Sequence, residues 1–349
     1  MAPADREFAA LKALSARLGR DPLRTQAAGG NTSLKRDGVM WIKASGTWLA
    51  EAERGDIFVP VHLDPLLKAV AEADPRAEKA VDFIAAELAT TGALRPSVET
   101  SVHAVIDRPV VVHIHDVATT AIAVRADAEA VLDERLGATG LGWIFIPYVK
   151  PGVPLSREIA RRLRPGTNVI ILGNHGLVVM ADSVAETGDI ADRVTAALEV
   201  TPRPAPGGDI SALNALKWPG YKPAMHRDAH ATATDEARLA IARRGTLYPD
   251  HVVFLGPGIV ETARDARGDA TRRAGMPAMM LVVPDVGVLV HETALPGADE
   301  LALALADVTG RIDPDAAINV LTNEQEQELL FWDAELYRQK IARESTTRR

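Results

Sequence analysis

The chain has 349 residues, a formal net charge of −8 and no cysteine. Disulfides, thiolate nucleophiles and cysteine-ligated zinc sites are therefore excluded, and the acidic balance argues against a general basic surface for nucleic acid. The length predicts one large or two medium domains, and no apolar run reaches the roughly 20 residues of a membrane span. We expect a cytoplasmic protein without nucleic-acid or membrane partners.

Residues 1–200 alternate predicted helices with predicted strands. Apolar residues at helical spacing near the N-terminus predict an amphipathic first helix. The predicted strands are 40–45, 56–61, 110–115, 143–147, 168–173 and 177–180, and the further predicted helices are 76–90, 98–106, 155–163 and 183–199. This irregular alternation predicts an α/β fold, an αβα sandwich of helices around a mixed central sheet.

Proline and glycine are concentrated in residues 201–223, and such a density of breakers predicts a linker. The remainder, residues 224–349, is predicted to form a smaller α/β C-terminal domain. Its predicted helices are 233–245, 298–310 and 323–342, and its predicted strands are 251–256, 279–284 and 286–290.

Three histidines stand where predicted strands end. His113 and His115 lie two apart in a strand, so both project from the same face and are able to share one metal ion. His175 lies in a short break between two later strands. On its own, the His113–His115 pair could equally be two hydrogen-bonded polar residues with no metal. A lone histidine in a turn, such as His175, more often has a structural role. Together, the three leave an open fourth position and predict a catalytic metal site.

Glu99 lies in the first turn of the predicted helix 98–106. An acidic residue there is favoured by the helix dipole, so on its own it is an ordinary N-terminal glutamate. His103 follows four residues later on the same helix face, and we expect it to pack against Glu99 rather than to bind metal.

Two glycine-containing segments, AAGGNTSLK (27–35) and KASGTWL (43–49), offer backbone N–H groups and short polar side chains. Such groups can bind an anion, and Lys35 and Lys43 would add positive charge. Each segment alone is more often a simple turn, and neither is a Walker loop or a dinucleotide-binding motif.

Five motifs follow one another in a definite order: GGNTS (29–33), KASG (43–46), PSVETSVH (96–103), VVHIH (111–115) and GNHGL (173–177). Over roughly residues 5–200 this order resembles the class II aldolase/adducin head family, which includes fuculose- and rhamnulose-phosphate aldolases and ribulose-phosphate 4-epimerase. The later segments PDHVVFLG (249–256), VGVL (286–289) and LLFWDAELYRQK (329–340) resemble the domain that follows the aldolase part of long bacterial rhamnulose-phosphate aldolase/dehydrogenase proteins.

The resemblance implies a role for particular residues. His113, His115 and His175 would bind a divalent metal, Zn²⁺ first, with Co²⁺, Mn²⁺ or Fe²⁺ as alternatives. Glu99 would be the catalytic acid/base. The substrate phosphate pocket would be lined by Asn31, Thr32, Ser45, Gly46 and Ser97. The family also implies a homotetramer with active sites at subunit interfaces.

The implied reaction is reversible retro-aldol cleavage of a ketose 1-phosphate, such as rhamnulose 1-phosphate, to dihydroxyacetone phosphate and an aldehyde. A sugar-phosphate epimerase, a 3-oxo-acid phosphate decarboxylase and a non-catalytic adducin-like binding module are the alternatives. Small aldolases carry a proton-donating tyrosine in a Pro-Tyr-x-x-x-Gly segment. Tyr148 is displaced toward the front of the corresponding stretch, IPYVKPGVPLS (146–156), which leaves the proton donor open.

Overall fold

The computed structural model describes residues 3–89, 94–263, 272–273 and 276–331. Its strands are β1 (Asn31–Arg36), β2 (Val39–Lys43), β3 (Phe58–His62), β4 (Val110–Ile114), β5 (Gly142–Ile146), β6 (Thr167–Leu172), β7 (Gly176–Ala181), β8 (Tyr221–Pro223), β9 (Arg272–Arg273), β10 (Met276–Pro277), β11 (Met280–Val283) and β12 (Gly287–His291). Its α-helices are α1 (Pro3–Arg20), α2 (Leu63–Ala71), α3 (Thr100–Val105), α4 (Val117–Ala123), α5 (Ala128–Leu136), α6 (Val153–Arg162), α7 (Val184–Leu198), α8 (Ile210–Leu216), α9 (Ala231–Thr234), α10 (Glu236–Ala242), α11 (Pro249–Leu255), α12 (Ala298–Arg311) and α13 (Asn323–Leu330).

The first seven strands form one sheet in the order β3-β2-β1-β4-β7-β6-β5. Its neighbouring strands are antiparallel except β5 and β6, which are parallel, so the sheet is mixed. Strand β4 lies at the centre and is buried along its whole length. Burial on both faces explains why its sequence is a continuous run of β-branched residues rather than an alternating pattern.

Helices cover both faces of this sheet. Along β4, Val110, Val112 and Ile114 pack with residues of α1, α4, α5 and α7, whereas Val111 packs with residues of α3 and α6. Because side chains alternate along a strand, His113 projects toward the α3 face. The predicted αβα sandwich around a mixed central sheet is confirmed.

A second antiparallel sheet, in the order β11-β12-β8, is built from the later part of the chain. The hydrophobic core beside it is shared with the first part: Val117 and Val124 of the α4 region are in one buried cluster with Phe254 and Leu305. Residues 202–209 contain no helix or strand, whereas α8 and β8 lie within the predicted linker. The division into domains at 1–200 and 224–349 stays a prediction.

Some predicted elements differ from the structure. The predicted strand 251–256 is wrong, because these residues belong mostly to helix α11, which has Pro249 in its first turn. The prediction failed because a short apolar run does not distinguish a strand from a buried helix. Over its described residues, 76–89, the predicted helix 76–90 contains two short 3₁₀ turns and no α-helix, with Ala80 between the turns at φ 48°. The predicted helix 233–245 is divided where Asp235 caps α10.

The start of β1 and the end of α13 also differ from prediction. Asn31, Thr32 and Ser33 were expected in a glycine-rich loop but form the beginning of β1. Helix α13 begins at Asn323 as predicted and is described to Leu330, while residues 332–342 of the predicted terminal helix lie outside the described residues.

Candidate metal centre

The order of the central strands brings the predicted site residues together. Asn31 of β1 lies directly opposite His113 of β4, and β4 pairs on its other side with β7. His115 follows the end of β4, and His175 immediately precedes β7. The three histidines therefore meet at one end of the central strands, although His175 is far from the other two in the sequence.

The turn that carries His175 is fixed by its neighbours. Asn174 has a positive φ of 53°, a conformation that asparagine tolerates better than most residues. Its side-chain amide donates to the carbonyl oxygens of Leu247 (2.9 Å) and Asn319 (2.8 Å). A Cβ atom at Gly176 would lie 2.5 Å from the Ile114 carbonyl oxygen, so only glycine allows the turn this close to β4.

The imidazole rings of the three histidines form a tight triangle. The ring centroids are 5.0 Å apart for His113 and His115, 4.8 Å for His113 and His175, and 5.2 Å for His115 and His175. One potential ligand atom from each ring lies within 4.8 Å of the others, and in the described ranges this is the group of side chains that could hold a metal ion.

Oxygen acceptors lie within hydrogen-bonding distance of Nδ1 in two of these rings. Nδ1 of His113 lies 3.1 Å from the Leu177 carbonyl oxygen, and Nδ1 of His115 lies 3.1 Å from Oδ2 of Asp250. Both acceptors favour a proton on Nδ1, which leaves Nε2 with a free lone pair. The two Nε2 atoms are only 3.2 Å apart. Two lone pairs at this distance repel each other unless a cation lies between them, so the donor set fits a divalent metal ion.

Burial favours the neutral form of these ligands. The pKa of His113 is lowered from its usual range chiefly because burial penalises the charged ring, although the carboxylate of Glu99 opposes this shift. Neutral imidazole is the form that binds a metal ion, so burial prepares His113 for coordination at neutral pH.

Glu99 lies beside the histidines at the N-cap of α3, with 5% of its surface exposed. Its Oε2 accepts a hydrogen bond from Nδ2 of Asn31 (2.7 Å) and lies 3.5 Å from Nε2 of His113. Its Oε1 lies 3.5 Å from Nε2 of His175 and, within the described residues, has no hydrogen-bond partner. The carboxylate is thus held through one oxygen, and the other oxygen is available for a reactant or a cation.

His103 has a structural partner different from the predicted one. Its Nδ1 lies 2.8 Å from the hydroxyl oxygen of Ser33 on β1, rather than beside the Glu99 carboxylate. Burial lowers the pKa of His103 well below its usual range, and the nearby His113 and Lys35 act in the same direction. A neutral His103 therefore links α3 to β1, and it is not part of the histidine cluster.

A small cavity that is partly open to solvent lies next to the histidine cluster. Four of the residues predicted to bind phosphate line it together with Glu99, His115 and His175: they are Asn31, Ser45, Gly46 and Ser97. The hydroxyl of Ser45 is buried and, in the described part of the chain, has no hydrogen-bond partner. Lys43 also lines the cavity, and its ammonium group donates to the carbonyl oxygens of Ala28 (2.7 Å) and Thr47 (2.8 Å). These groups form a polar wall suited to an anion.

The fifth predicted pocket residue, Thr32, lies elsewhere. Its hydroxyl is fully buried, 2.7 Å from the hydroxyl of Ser15 on α1. Because neighbouring residues of β1 point to opposite faces, Asn31 reaches the cavity and Thr32 does not. The structure therefore places Thr32 apart from the other four predicted pocket residues.

Tyr148 packs among apolar residues, with Val252, Leu321 and Leu329 in the same cluster. Burial raises the pKa of its phenol, and the carboxylate of Glu328 adds to this shift. Within the described residues its hydroxyl has no hydrogen-bond partner, and the cavity lining includes Pro151 but not Tyr148. Tyr148 therefore lies outside the cavity of its own chain, and the proton donor stays open.

The later part of the chain supplies residues that the sequence did not predict. Pro249, Asp250 and Leu329 line the same cavity as Glu99. Asp250 lies in a Pro-Asp pair just before an apolar run that was predicted as a strand, and this local pattern gives no sign of a partner more than a hundred residues earlier in the chain. Only the tertiary structure shows its contact with His115.

Comparisons with known proteins agree with this architecture. Residues 9–201 match the family described as Class II Aldolase and Adducin N-terminal domain. A Bacillus subtilis (strain 168) protein named uncharacterized oxidoreductase YuxG is 28% identical over 177 residues; the match covers 48% of this chain and only 25% of that protein.

Two solved structures are also similar. The N-terminal class II aldolase domain of a conserved Thermoplasma acidophilum protein is 25% identical with a TM-score of 0.47, and the match covers 54% of this chain and 90% of that chain. A sugar-phosphate aldolase from Thermotoga maritima is 16% identical with a TM-score of 0.45, covering 56% of this chain and 93% of that one.

Among the helices of the described residues, none combines the length and the apolar character that a membrane span requires.

Proposed function

Since the chain belongs to the class II aldolase and adducin N-terminal domain family, we propose that it is a metal-dependent aldolase acting on a ketose 1-phosphate. The products would be dihydroxyacetone phosphate and an aldehyde, with rhamnulose 1-phosphate as a candidate substrate. The observation that carries this proposal is the position of the Glu99 carboxylate, 3.5 Å from ring nitrogens of two clustered histidines and at the wall of a polar cavity.

In this proposal His113, His115 and His175 hold the metal ion. A bound divalent cation would act as a Lewis acid that polarises substrate oxygens and offsets the negative charge developed during bond cleavage. Three neutral imidazoles leave the full charge of the cation available for that role. Zn²⁺ fits a nitrogen-rich site, and Co²⁺, Mn²⁺ and Fe²⁺ are accepted by similar ligands.

Glu99 is the proposed acid/base. In the cleavage direction its carboxylate accepts the proton of the hydroxyl group next to the breaking carbon–carbon bond. As that bond breaks, a carbonyl forms on the aldehyde product and the bonding electrons remain on the dihydroxyacetone phosphate fragment. Glu99 then returns the proton to the carbon of that fragment, so its protonation state is restored. The hydrogen bond from Asn31 keeps the carboxylate oriented during both transfers.

The polar wall of the cavity is proposed to bind the phosphate group. Ser45 and Ser97 supply hydroxyl groups, and Asn31 and Gly46 lie beside them. Lys43 adds a buried positive charge at the same wall, which favours a dianionic group over a neutral one. Phosphate binding there would leave the other end of the substrate near the histidines.

A product assay tests this function. Purified protein reconstituted with Zn²⁺ is incubated with rhamnulose 1-phosphate or fuculose 1-phosphate, and released dihydroxyacetone phosphate is measured with a coupling enzyme. We expect release with at least one of the two. An epimer formed without release would assign the chain to the epimerases, and loss of CO₂ from a 3-oxo-acid phosphate would assign it to the decarboxylases. No turnover of any of these compounds by metal-loaded protein would favour the binding-module alternative. The homotetramer and the cytoplasmic location stay predictions.

A further inference from the structure

Asp250 connects the later part of the chain to the histidine cluster. It lies in the first turn of α11 with only 5% of its surface exposed, and its Oδ2 is 3.1 Å from Nδ1 of His115. It also lines the cavity that contains Glu99. The family match ends at residue 201, so this contact comes from a segment that the family comparison does not cover.

The contact is supported by the segment facing it. A Cβ atom added at Gly29 would lie 2.9 Å from Oδ2 of Asp250 and 2.9 Å from Nδ1 of His115. The same Cβ atom would lie 2.9 Å from the carbonyl oxygen of Gln26, and real Cβ atoms do not approach other atoms so closely, so a larger residue at position 29 requires the pair or this backbone to shift. The glycine of the GGN segment thus leaves the space in which the carboxylate and the imidazole meet.

Helix α11 is held firmly where it places Asp250. The four residues Val252, Val253, Phe254 and Leu255 are all buried, and they pack into two different apolar clusters. Just before the helix, the carbonyl oxygen of Leu247 accepts a hydrogen bond from Asn174, the neighbour of His175. The position of Asp250 is therefore fixed relative to both His115 and the His175 turn.

We propose that Asp250 is a positioning residue for the metal site: its carboxylate accepts the Nδ1–H hydrogen bond of His115 and thereby directs Nε2 of that ring toward the other histidines. A carboxylate in this position fixes the tautomer and orientation of the ring and makes Nε2 a better donor. The inference rests on the proposed function, because it needs a metal ion at the three histidines. It makes the later part of the chain a component of the active site.

The test compares the full-length chain with Asp250→Asn and Asp250→Ala, and uses Asp315→Asn, an exposed position on the surface, as the matched control. Dissociation constants for Zn²⁺ and the visible absorption spectrum of the Co²⁺-loaded protein are measured for each form. Thermal unfolding of the metal-free forms shows whether the variants fold. Loss of a partner of this kind typically weakens metal binding by about 10- to 100-fold. We expect that loss for Asp250→Ala, a smaller loss for the isosteric Asp250→Asn, and an altered Co²⁺ spectrum, with unfolding temperatures close to that of the unchanged chain.

The outcomes separate this inference from the proposed function. Unchanged protein that binds Zn²⁺, together with Asp250 variants that bind it within twofold and give the same Co²⁺ spectrum, would overturn the inference alone. Unchanged protein that binds no Zn²⁺ would overturn the proposed function, and with it this inference. A variant with weaker binding and a lower metal-free unfolding temperature would also count against it, because the effect would then come from lost stability.

Discussion

Each carboxylate oxygen of Glu99 lies 3.5 Å from Nε2 of a different histidine, His113 for one and His175 for the other. At the scale of single residues, this position predicts the effect of removing its charge. Glu99→Gln keeps the size of the side chain but cannot accept the substrate proton. Since positioned acid/base groups contribute about 10²- to 10⁴-fold, we expect the rate of cleavage to fall by about that factor.

The experiment measures kcat for cleavage and the metal content of Glu99→Gln beside Glu53→Gln, an exposed control that pairs with Arg20 at the surface. Metal content of Glu99→Gln should stay near that of the unchanged chain, because the three histidines are intact. A kcat within threefold of the unchanged chain would remove Glu99 from the mechanism.

Gly29 gives a second prediction at this scale. In Gly29→Ala the new methyl group would lie 2.9 Å from atoms of Asp250, His115 and the Gln26 carbonyl, so these groups must shift, and we expect Zn²⁺ binding to weaken by about tenfold or more. Gly137→Ala is the matched control because a Cβ there has no atom within 4 Å. The Zn²⁺ affinities of both variants are measured by titration. Equal affinities would show that the close packing at Gly29 does not affect metal binding.

The residue scale also shows how far sequence reasoning reaches. The three histidines could be grouped because two share a strand and the third lies at a strand break, and strand ends meet at a sheet edge. Thr32 was misplaced because its face depends on β1 beginning at Asn31, which the glycine-rich sequence conceals. Asp250 could not be predicted, since its role depends on a contact with His115 that no local pattern encodes.

At the scale of elements, the turn between β6 and β7 is a tightly constrained connection beside the site. Asn174 combines a positive φ with two hydrogen bonds to carbonyl oxygens of the later part of the chain. Asn174→Gly removes the two hydrogen bonds, but glycine adopts a positive φ without strain. Asn174→Ala removes the hydrogen bonds and also strains the backbone, because alanine disfavours a positive φ. An unsatisfied buried group costs about 1–3 kcal/mol, so both variants should unfold more easily, the alanine variant more so.

Urea unfolding of the two variants measures these differences. Asp37→Gly is the control, because Asp37 also has a positive φ (49°) but lies exposed in the hairpin between β1 and β2. Its unfolding free energy should change by no more than about 0.5 kcal/mol. An Asn174→Gly variant as stable as the unchanged chain would show that the two hydrogen bonds contribute nothing to holding the turn.

Elements were predicted well where the local sequence has a clear preference. Helix α1 has the period of an amphipathic helix, and strand β4, which has no alternating pattern, is rich in β-branched residues that favour a strand. Helix α11 was predicted as a strand because its last four residues are all apolar and buried. Without polar residues at helical spacing among them, the sequence shows no helical period. The surroundings of α11, not its own composition, decide its conformation.

At the scale of the whole molecule, the two parts of the chain share one core. Val117 and Val124 from the first part are in the same buried cluster as Phe254, Leu301 and Leu305 from the second. Separate unfolding of either part would expose this apolar surface, so we expect a single cooperative transition in calorimetry. Free Zn²⁺ at 100 times its dissociation constant should add about 2.7 kcal/mol to the unfolding free energy. Two separate unfolding transitions, of which one or both shift with Zn²⁺, would show that the two parts do not unfold as one unit.

The proposed chemistry depends on a metal ion held by His113, His115 and His175, and measurement of metal content tests this most directly. The unchanged chain, the His113→Ala/His115→Ala/His175→Ala variant and a His62→Ala control are incubated with excess Zn²⁺, dialysed, and measured by elemental analysis. His62 is a suitable control because it lies on the surface beside Glu87, at the end of β3. We predict one ion per chain in the unchanged and control proteins and none in the triple variant. If the unchanged chain bound no metal, or if the triple variant bound as much as the unchanged chain, the three histidines would not be the metal ligands.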